Sequence, residues 1–306
     1  KSQVNFALLL ELLGEPSAAA EAQREADTLF EALGDNVASE PFYRHRQATG
    51  HFNRGLGLSK RGQLDQAVRE YRQAATDWRQ LTEEFPGNNE YANALRPVLM
   101  NLATLLQRLQ QVPECLEVLR QLIDHERAAI ERNPKVWEFH GHLTEALHMR
   151  GHLLVPLGRD DEARSTYTAA LSEAEQLRSA LSNDRMWPRQ VVELSLHLAN
   201  LDQQAGRLEE ARERLAAVVA TALELVDSTG VAPGDRVMLR SVLGTLAELE
   251  EFLGDSASAQ ERRRVAREWD QCDPAMLALD NRLREVQARS EEHTSELQSQ
   301  FRISYA

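Results

Sequence analysis

Three regularities that share one period predict an all-α solenoid of about six helical hairpins. Gly14, Gly62, Gln110, Gly158, Gly206 and Gly254 follow one another at intervals of 48 residues without a gap. Five residues after each stands a small residue, namely Ala19, Ala67, Cys115, Ala163, Ala211 and Ala259. Four further on come Gln23, Tyr71, Leu119, Tyr167, Leu215 and Arg263, and three beyond those Ala26, Ala74, Leu122, Ala170, Val218 and Ala266. Offsets of four and three fall on one helical face, and a fixed period of this length marks stacked units that bury a shared core.

Each unit reads as two helices. The turn residue supplies the left-handed conformation that ends the first helix. Acidic residues or proline just after it suit the positive N-terminal end of the second: Asp65, Pro113 with Glu114, Asp160 to Glu162, Glu209 with Glu210, and Asp255. The small residue then lets the two helices approach closely. Between hairpins, Pro86 and Pro134 stop the second helix, and Asn88 or Asn89 caps the next first helix. The helices that remain are roughly 20 residues, or about 30 Å, long. Tyr43, Tyr91, Phe139 and Trp187 also follow the period and are expected to pack the start of each first helix on the helix before it.

Residues 1–273 form the predicted array. Asp273-Pro274 opens a further helix over 274–288, expected to be the first half of a truncated unit. The chain starts at Lys1 inside an apolar-periodic segment (Val4, Phe6, Leu8, Leu9, Leu10, Leu12, Leu13), which predicts a piece cut from something longer. Residues 289–299, RSEEHTSELQS, are what a widely used short-read sequencing adapter encodes in this frame, and residues 303–306, ISYA, fit its next fixed stretch. Residues 289–306 are therefore read as a non-native tail.

Composition narrows the function. With 35 Lys plus Arg against 48 Asp plus Glu, the net charge of −13 repels phosphate, which argues against nucleic acid or an anionic membrane as partner. The most apolar window, residues 215–226, is too short to span a bilayer. Cys115 and Cys272 make no disulfide framework and fit a reducing compartment, so a cytoplasmic location is expected.

A small residue about seven before the turn (Gly55, Ala103, Gly151, Ala199, Ala247), then Gly, then a small residue five later, an aromatic or Leu nine later and Ala twelve later resembles the tetratricopeptide repeat. The resemblance covers residues 1 to about 272 and implies a right-handed superhelix whose first helices line a peptide-binding groove. The period of 48 exceeds the family's usual 34, which implies that each helix is longer by about two turns. The spacing, with LTEEFPGNNEYANAL between units, is similar to arrays C-terminal to the kinase domain of large bacterial Ser/Thr kinases. The chain holds no kinase motif, so any kinase would lie upstream of Lys1.

The groove column runs Asn5, Asn53, Asn101, Met149, His197, Thr245. Asn at this position in the family hydrogen-bonds the backbone of an extended peptide, which makes Asn5, Asn53, Asn101 and His197 the groove candidates, set against a plain solvated helix face. Four residues earlier stand Lys1, Thr49, Pro97, Glu145, Glu193 and Ser241, only one of them basic, so a clamp for a terminal carboxylate is not expected.

His140, His142, His148 and His152 crowd the central repeats. Glu145, His148 and His152 share one helical face and offer nitrogen and oxygen ligands to zinc, without a Cys or an HExxH order to support them. Solvated groove histidines and a pH-responsive partner contact are the other readings. The segment GLGLSKRG, residues 55–62, places its glycines at repeat positions and lacks the Lys-Ser/Thr ending of a phosphate loop. Cys115 reads as a packed thiol and Arg262 to Arg264 as a solvated face.

No nucleophile constellation can be placed, and no cofactor is expected. The expectation is a non-catalytic scaffold for a protein or peptide ligand. A metal or enzymatic site on the histidine-rich repeats and a purely structural spacer are the alternatives. Exposed Phe6, Leu9 and Leu13 would favour self-association through the truncated end.

Overall fold

Every predicted turn that the structure describes has a left-handed backbone: φ is +75° at Gly62, +57° at Gln110, +67° at Gly158, +76° at Gly206 and +89° at Gly254. The computed structural model describes residues 40–227 and 233–270, with scattered positions between 6 and 28. Gly14, the helix expected over 274–288 and the tail at 289–306 lie outside the described residues. Four of the turns close in the same way. The residue after the turn donates its N–H to the carbonyl five residues back, as in Gln63 to Leu58 (2.9 Å), Gln111 to Leu106 (2.9 Å), Arg207 to Asp202 (2.8 Å) and Asp255 to Glu250 (2.8 Å). That bond satisfies a carbonyl the ending helix leaves open and reverses the chain within a few residues.

The chain forms two compact units, residues 1–157 and 158–306. In the first, the described helices are α1 (Pro41–Lys60), α2 (Leu64–Glu84), α3 (Asn89–Arg108), α4 (Val112–Arg132) and α5 (Trp137–Leu154), with a 3₁₀ turn at Val155–Leu157. In the second they are α6 (Asp160–Ala180), α7 (Met186–Gln204), α8 (Leu208–Asp227), α9 (Pro233–Phe252) and α10 (Ser256–Asp270). No strand occurs among the described residues, and none of these helices is long and apolar enough to cross a membrane. Lengths of 20, 21, 20 and 21 residues in α1 to α4 match the long helices that the period requires.

Local signals set the boundaries. Helices α2 and α4 end two residues before Pro86 and Pro134. Asn88 caps α3 by accepting from the Glu90 N–H at 3.0 Å. At the start of α7, Asp184 accepts from the Met186 N–H at 2.9 Å, which satisfies one of the open donors there.

Within each unit the periodic columns are the core. Ala67, Cys115, Ala163, Ala211 and Ala259 are fully buried, as are Tyr71, Leu119, Tyr167 and Leu215 one turn on. Burying a side chain such as Leu119 contributes about 1.5–3 kcal/mol. The Cys115 thiol donates to the Ala103 carbonyl at 3.2 Å, so the small column brings α3 and α4 into direct contact; burial pushes that thiol up to about 11, which keeps it protonated and inert. In the second unit Ala199, Ala211, Leu215, Leu246 and Leu249 make one cluster, with Leu196, Leu208 and Val219 against it.

Contacts between hairpins show two layers in the first unit. Arg72 and Arg79 of α2 reach Glu114 and Gln121 of α4, so second helices lie beside second helices. His45 of α1 stacks near Tyr91 of α3 (5.3 Å between centroids), and Arg96 of α3 sits over Phe139 of α5 at 5.2 Å, so first helices lie beside first helices. Tyr91 also meets Phe85 edge-on at 6.1 Å, which gives this member of the predicted aromatic column its packing role.

Candidate functional site

Hairpin stacking leaves one side of α3 and α5 open. On α3 the open side carries Asn93, Pro97, Thr104 and Arg108, with Met100 and Asn101 half-buried. Their spacing of three and four residues makes one continuous stripe. Pro97 stands inside the helix and has no N–H, so the Asn93 carbonyl one turn earlier loses its intrahelical donor and is left as an acceptor on this stripe. Asn101 Nδ2 donates to the Pro97 carbonyl at 2.8 Å, which turns Oδ1 of the same amide into a further acceptor. Two acceptors on neighbouring turns of an open face suit the amide hydrogens of an extended chain.

Asn53, the same column in α1, is placed differently. It is half-buried, and its Nδ2 is shielded from solvent with no hydrogen-bond partner among the described residues. Asn5 lies outside the described residues. His197 is on α7 of the second unit, where its ring stacks on Tyr167 at 5.0 Å and 9°, an aromatic packing contact. Of the three groove candidates among the described residues, Asn101 is thus the one presented on an open stripe with other polar groups.

On α5 the open side carries Glu138, Glu145 and His152, with His142, His148 and Met149 half-buried. Nε2 of His148 and Nε2 of His152 approach to 3.0 Å, with ring centroids 4.6 Å apart. No group of three convergent ligand atoms among the described residues includes Glu145. Although both side chains reach solvent, the surrounding protein partly desolvates them, which raises the Glu145 carboxyl and lowers His152, each disfavouring the charged form. His140 is turned toward the Pro134 carbonyl, 3.2 Å from Nε2, and takes no part in this face.

Beside the stripe lies a charged cluster that the periodic columns did not foretell as a site. Glu126 of α4 has 0% of its side chain exposed and accepts from Arg96 Nε of α3 at 2.9 Å. Its other oxygen has no hydrogen-bond partner among the described residues and faces His142 Nδ1 of α5 at 4.0 Å. Glu138 of α5 stands 3.6 Å from Arg96 Nη1 and 4.0 Å from His142 Nε2. Burial pushes the Glu126 carboxyl up to about 7 against the opposing pull of Arg96. Burial, then Arg96, lowers His142, while His125 is taken down to about 4 by burial, Arg96 and Arg132. The signal was present in the period: the column through Glu126 reads Trp78, Glu126, Ala174, Ala222, and the one through Arg96 reads Ala48, Arg96, Thr144, Val192. The next members of these columns are Asp270 and Arg240, so an acid and an arginine enter the two columns together in two of the repeats.

Residues 144–177, from α5 into α6, match the tetratricopeptide repeat family. A search of curated proteins finds no match. Among solved structures, the chain is similar to BtubC (BKLC) from P. vanneervenii, with a TM-score of 0.53 and 16% identity over 83% of this chain and 88% of that one. It is also similar to the apo form of RapI, with a TM-score of 0.58 and 13% identity over 99% of this chain and 73% of that one. At such identities the likeness establishes the fold, an array of stacked helical hairpins, within which residues 144–177 carry the tetratricopeptide match.

Proposed function

We propose that this protein is a non-catalytic interaction scaffold that binds an extended peptide or partner helix along the open stripe of α3 and α5. The observation that carries the reading is the pair of outward acceptors on α3, the Asn93 carbonyl released by Pro97 and Asn101 Oδ1. A helix interior tolerates proline at a cost of about 3 kcal/mol, and a freed carbonyl on an open face has no packing role to offset it. The TPR-like fold supports the same reading, since arrays of this kind present their first helices to ligands.

The test is selection of peptides from a random display library on the full chain, followed by titration of the selected peptides against variants. Asn101→Ala is expected to weaken binding about fivefold, the worth of about one hydrogen bond, with helical content unchanged. Asn53→Ala, whose amide nitrogen is shielded, is expected to have the smaller effect. Recovery of no saturable peptide would return the chain to the role of a structural spacer, and peptides indifferent to Asn101 would remove the stripe assignment.

The setting proposed is a cytoplasmic bacterial signalling protein, with the array attached to a Ser/Thr kinase. The period of 48 residues and the LTEEFPGNNEYANAL punctuation support it. Sequencing the source DNA outward from both ends of the reading frame decides: a kinase domain upstream bears the reading out, and a start codon close upstream makes the protein a separate adaptor. The same experiment tests the tail at 289–306, which repeat sequence should replace.

A further inference from the structure

We propose that His148 and His152 chelate a divalent cation of the zinc and nickel class on the open side of α5. Residues four apart face the same way on consecutive turns, so two histidines at this spacing can direct one nitrogen each at a common point. Here they do so, with the Nε2 atoms 3.0 Å apart. Two nitrogen ligands at about 2.0–2.1 Å from a metal stand about 3.3 Å apart at a tetrahedral angle. At a right angle, as in octahedral coordination, they stand about 3.0 Å apart. The pair therefore reaches chelating distance with little movement of either ring.

The backbone that carries them is fixed. Ala146, Leu147, Gly151, Leu153 and Leu154 of the same helix are buried, so the Cα positions of both histidines are set by the core of the first unit. The facing nitrogens stand at hydrogen-bond distance, and a cation between them requires no rearrangement of the helix. Imidazole suits zinc, nickel and copper, whereas calcium and magnesium demand oxygen donors, which fixes the class of metal. Two nitrogens fill two of the coordination positions, and the remainder fall to water or to further nitrogen and oxygen donors.

The experiment is calorimetric titration of the full chain with zinc chloride and with nickel chloride, and nothing else. One equivalent is expected to bind in the micromolar range. His148→Ala and His152→Ala should each weaken binding at least about tenfold, because even indirect changes around a metal site cost about that much. Binding by either variant that equals the unaltered protein's overturns the proposal. A readout that needs no variant is the paramagnetic resonance spectrum of the chain with one equivalent of copper. Splitting from two imidazole nitrogens is expected, and a spectrum of oxygen ligation alone overturns it.

Discussion

A Cβ atom built on Gly55 would stand 2.6 Å from Cε1 and 2.7 Å from Cδ1 of Tyr71, so the Tyr71 ring of α2 rests directly on the backbone of α1. The same two columns pair Ala103 with Leu119 and Ala199 with Leu215, where the smaller side chain leaves room for the methyl group. Gly55→Ala is therefore expected to destabilise the first unit by about 1–3 kcal/mol through overpacking of a fully buried ring. Adding Tyr71→Leu should recover part of that loss, although Tyr71→Leu alone is destabilising. Urea denaturation of the four proteins measures the coupling, and purely additive losses would show that the ring can shift without strain.

Gln110 holds a φ of +57° where the other four described turns have glycine. A side chain in the left-handed region costs about 1–2 kcal/mol, partly offset by the chain entropy that glycine loses on folding. Gln110→Gly should raise stability by about 0.5–1 kcal/mol, read as a higher urea midpoint with an unchanged slope. A lower midpoint would mean that contacts of the Gln110 side chain outweigh the backbone strain.

Glu126 gives the first unit a specific pH dependence. Its folded pKa, pushed up to about 7, lies above the unfolded value, so the folded state binds the extra proton. Its contribution to stability is largest below the unfolded carboxylate range and declines as pH rises through about 7. His125, lowered to about 4, acts in the opposite sense, and its contribution is lost as pH falls from about 6.5 toward its folded value. In Glu126→Gln only the histidine slope remains. The stability of the unaltered protein relative to this variant should therefore fall between about pH 4.5 and 7 and level off above, by up to about 3 kcal/mol. A flat difference across that range would show that Arg96 keeps Glu126 ionised throughout.

These cases show which features the period reveals. Turn positions and small columns are repeated in every unit and helix-ending prolines in two of them, so noisy copies average into one clear pattern, and the described hairpins have nearly the expected lengths. Asn88 as the cap of α3 was legible for another reason, since its carboxamide acts on an N–H only two residues away. What the period hides is whatever a single repeat does differently. The sequence shows Glu126 and Arg96 as charges in columns where Trp78, Ala174, Ala48 and Val192 stand in other repeats, yet the two residues lie 30 apart and only the fold sets them 2.9 Å from each other. Asn53 and Asn101 share a column, but proline inside α3 and the shielding around α1 give them different surroundings.

The second unit rests on a different repeated device, and it yields the sharpest prediction. Asp202 has 0% of its side chain exposed and accepts from Arg164 (2.8 Å), Arg207 (3.0 Å) and Arg214 (3.1 Å). One period later Glu250 accepts from Arg262 at 3.3 Å, in the column of Arg214. Burial alone would raise the Asp202 carboxyl, but the three guanidinium groups hold it below its usual value. Its contribution to stability is therefore fully present above about pH 4 and is lost as pH falls through the depressed folded value. Asp202→Ala strands three cations around a buried gap and is expected to cost about 3–5 kcal/mol at neutral pH, whereas Glu250→Ala, with one arginine to release, costs less. Asp202→Asn keeps the shape, so its deficit relative to the unaltered protein should be constant from neutral pH down to about pH 4 and shrink only below it. A deficit that already shrinks near pH 6 would assign the stabilisation to a group other than this carboxylate.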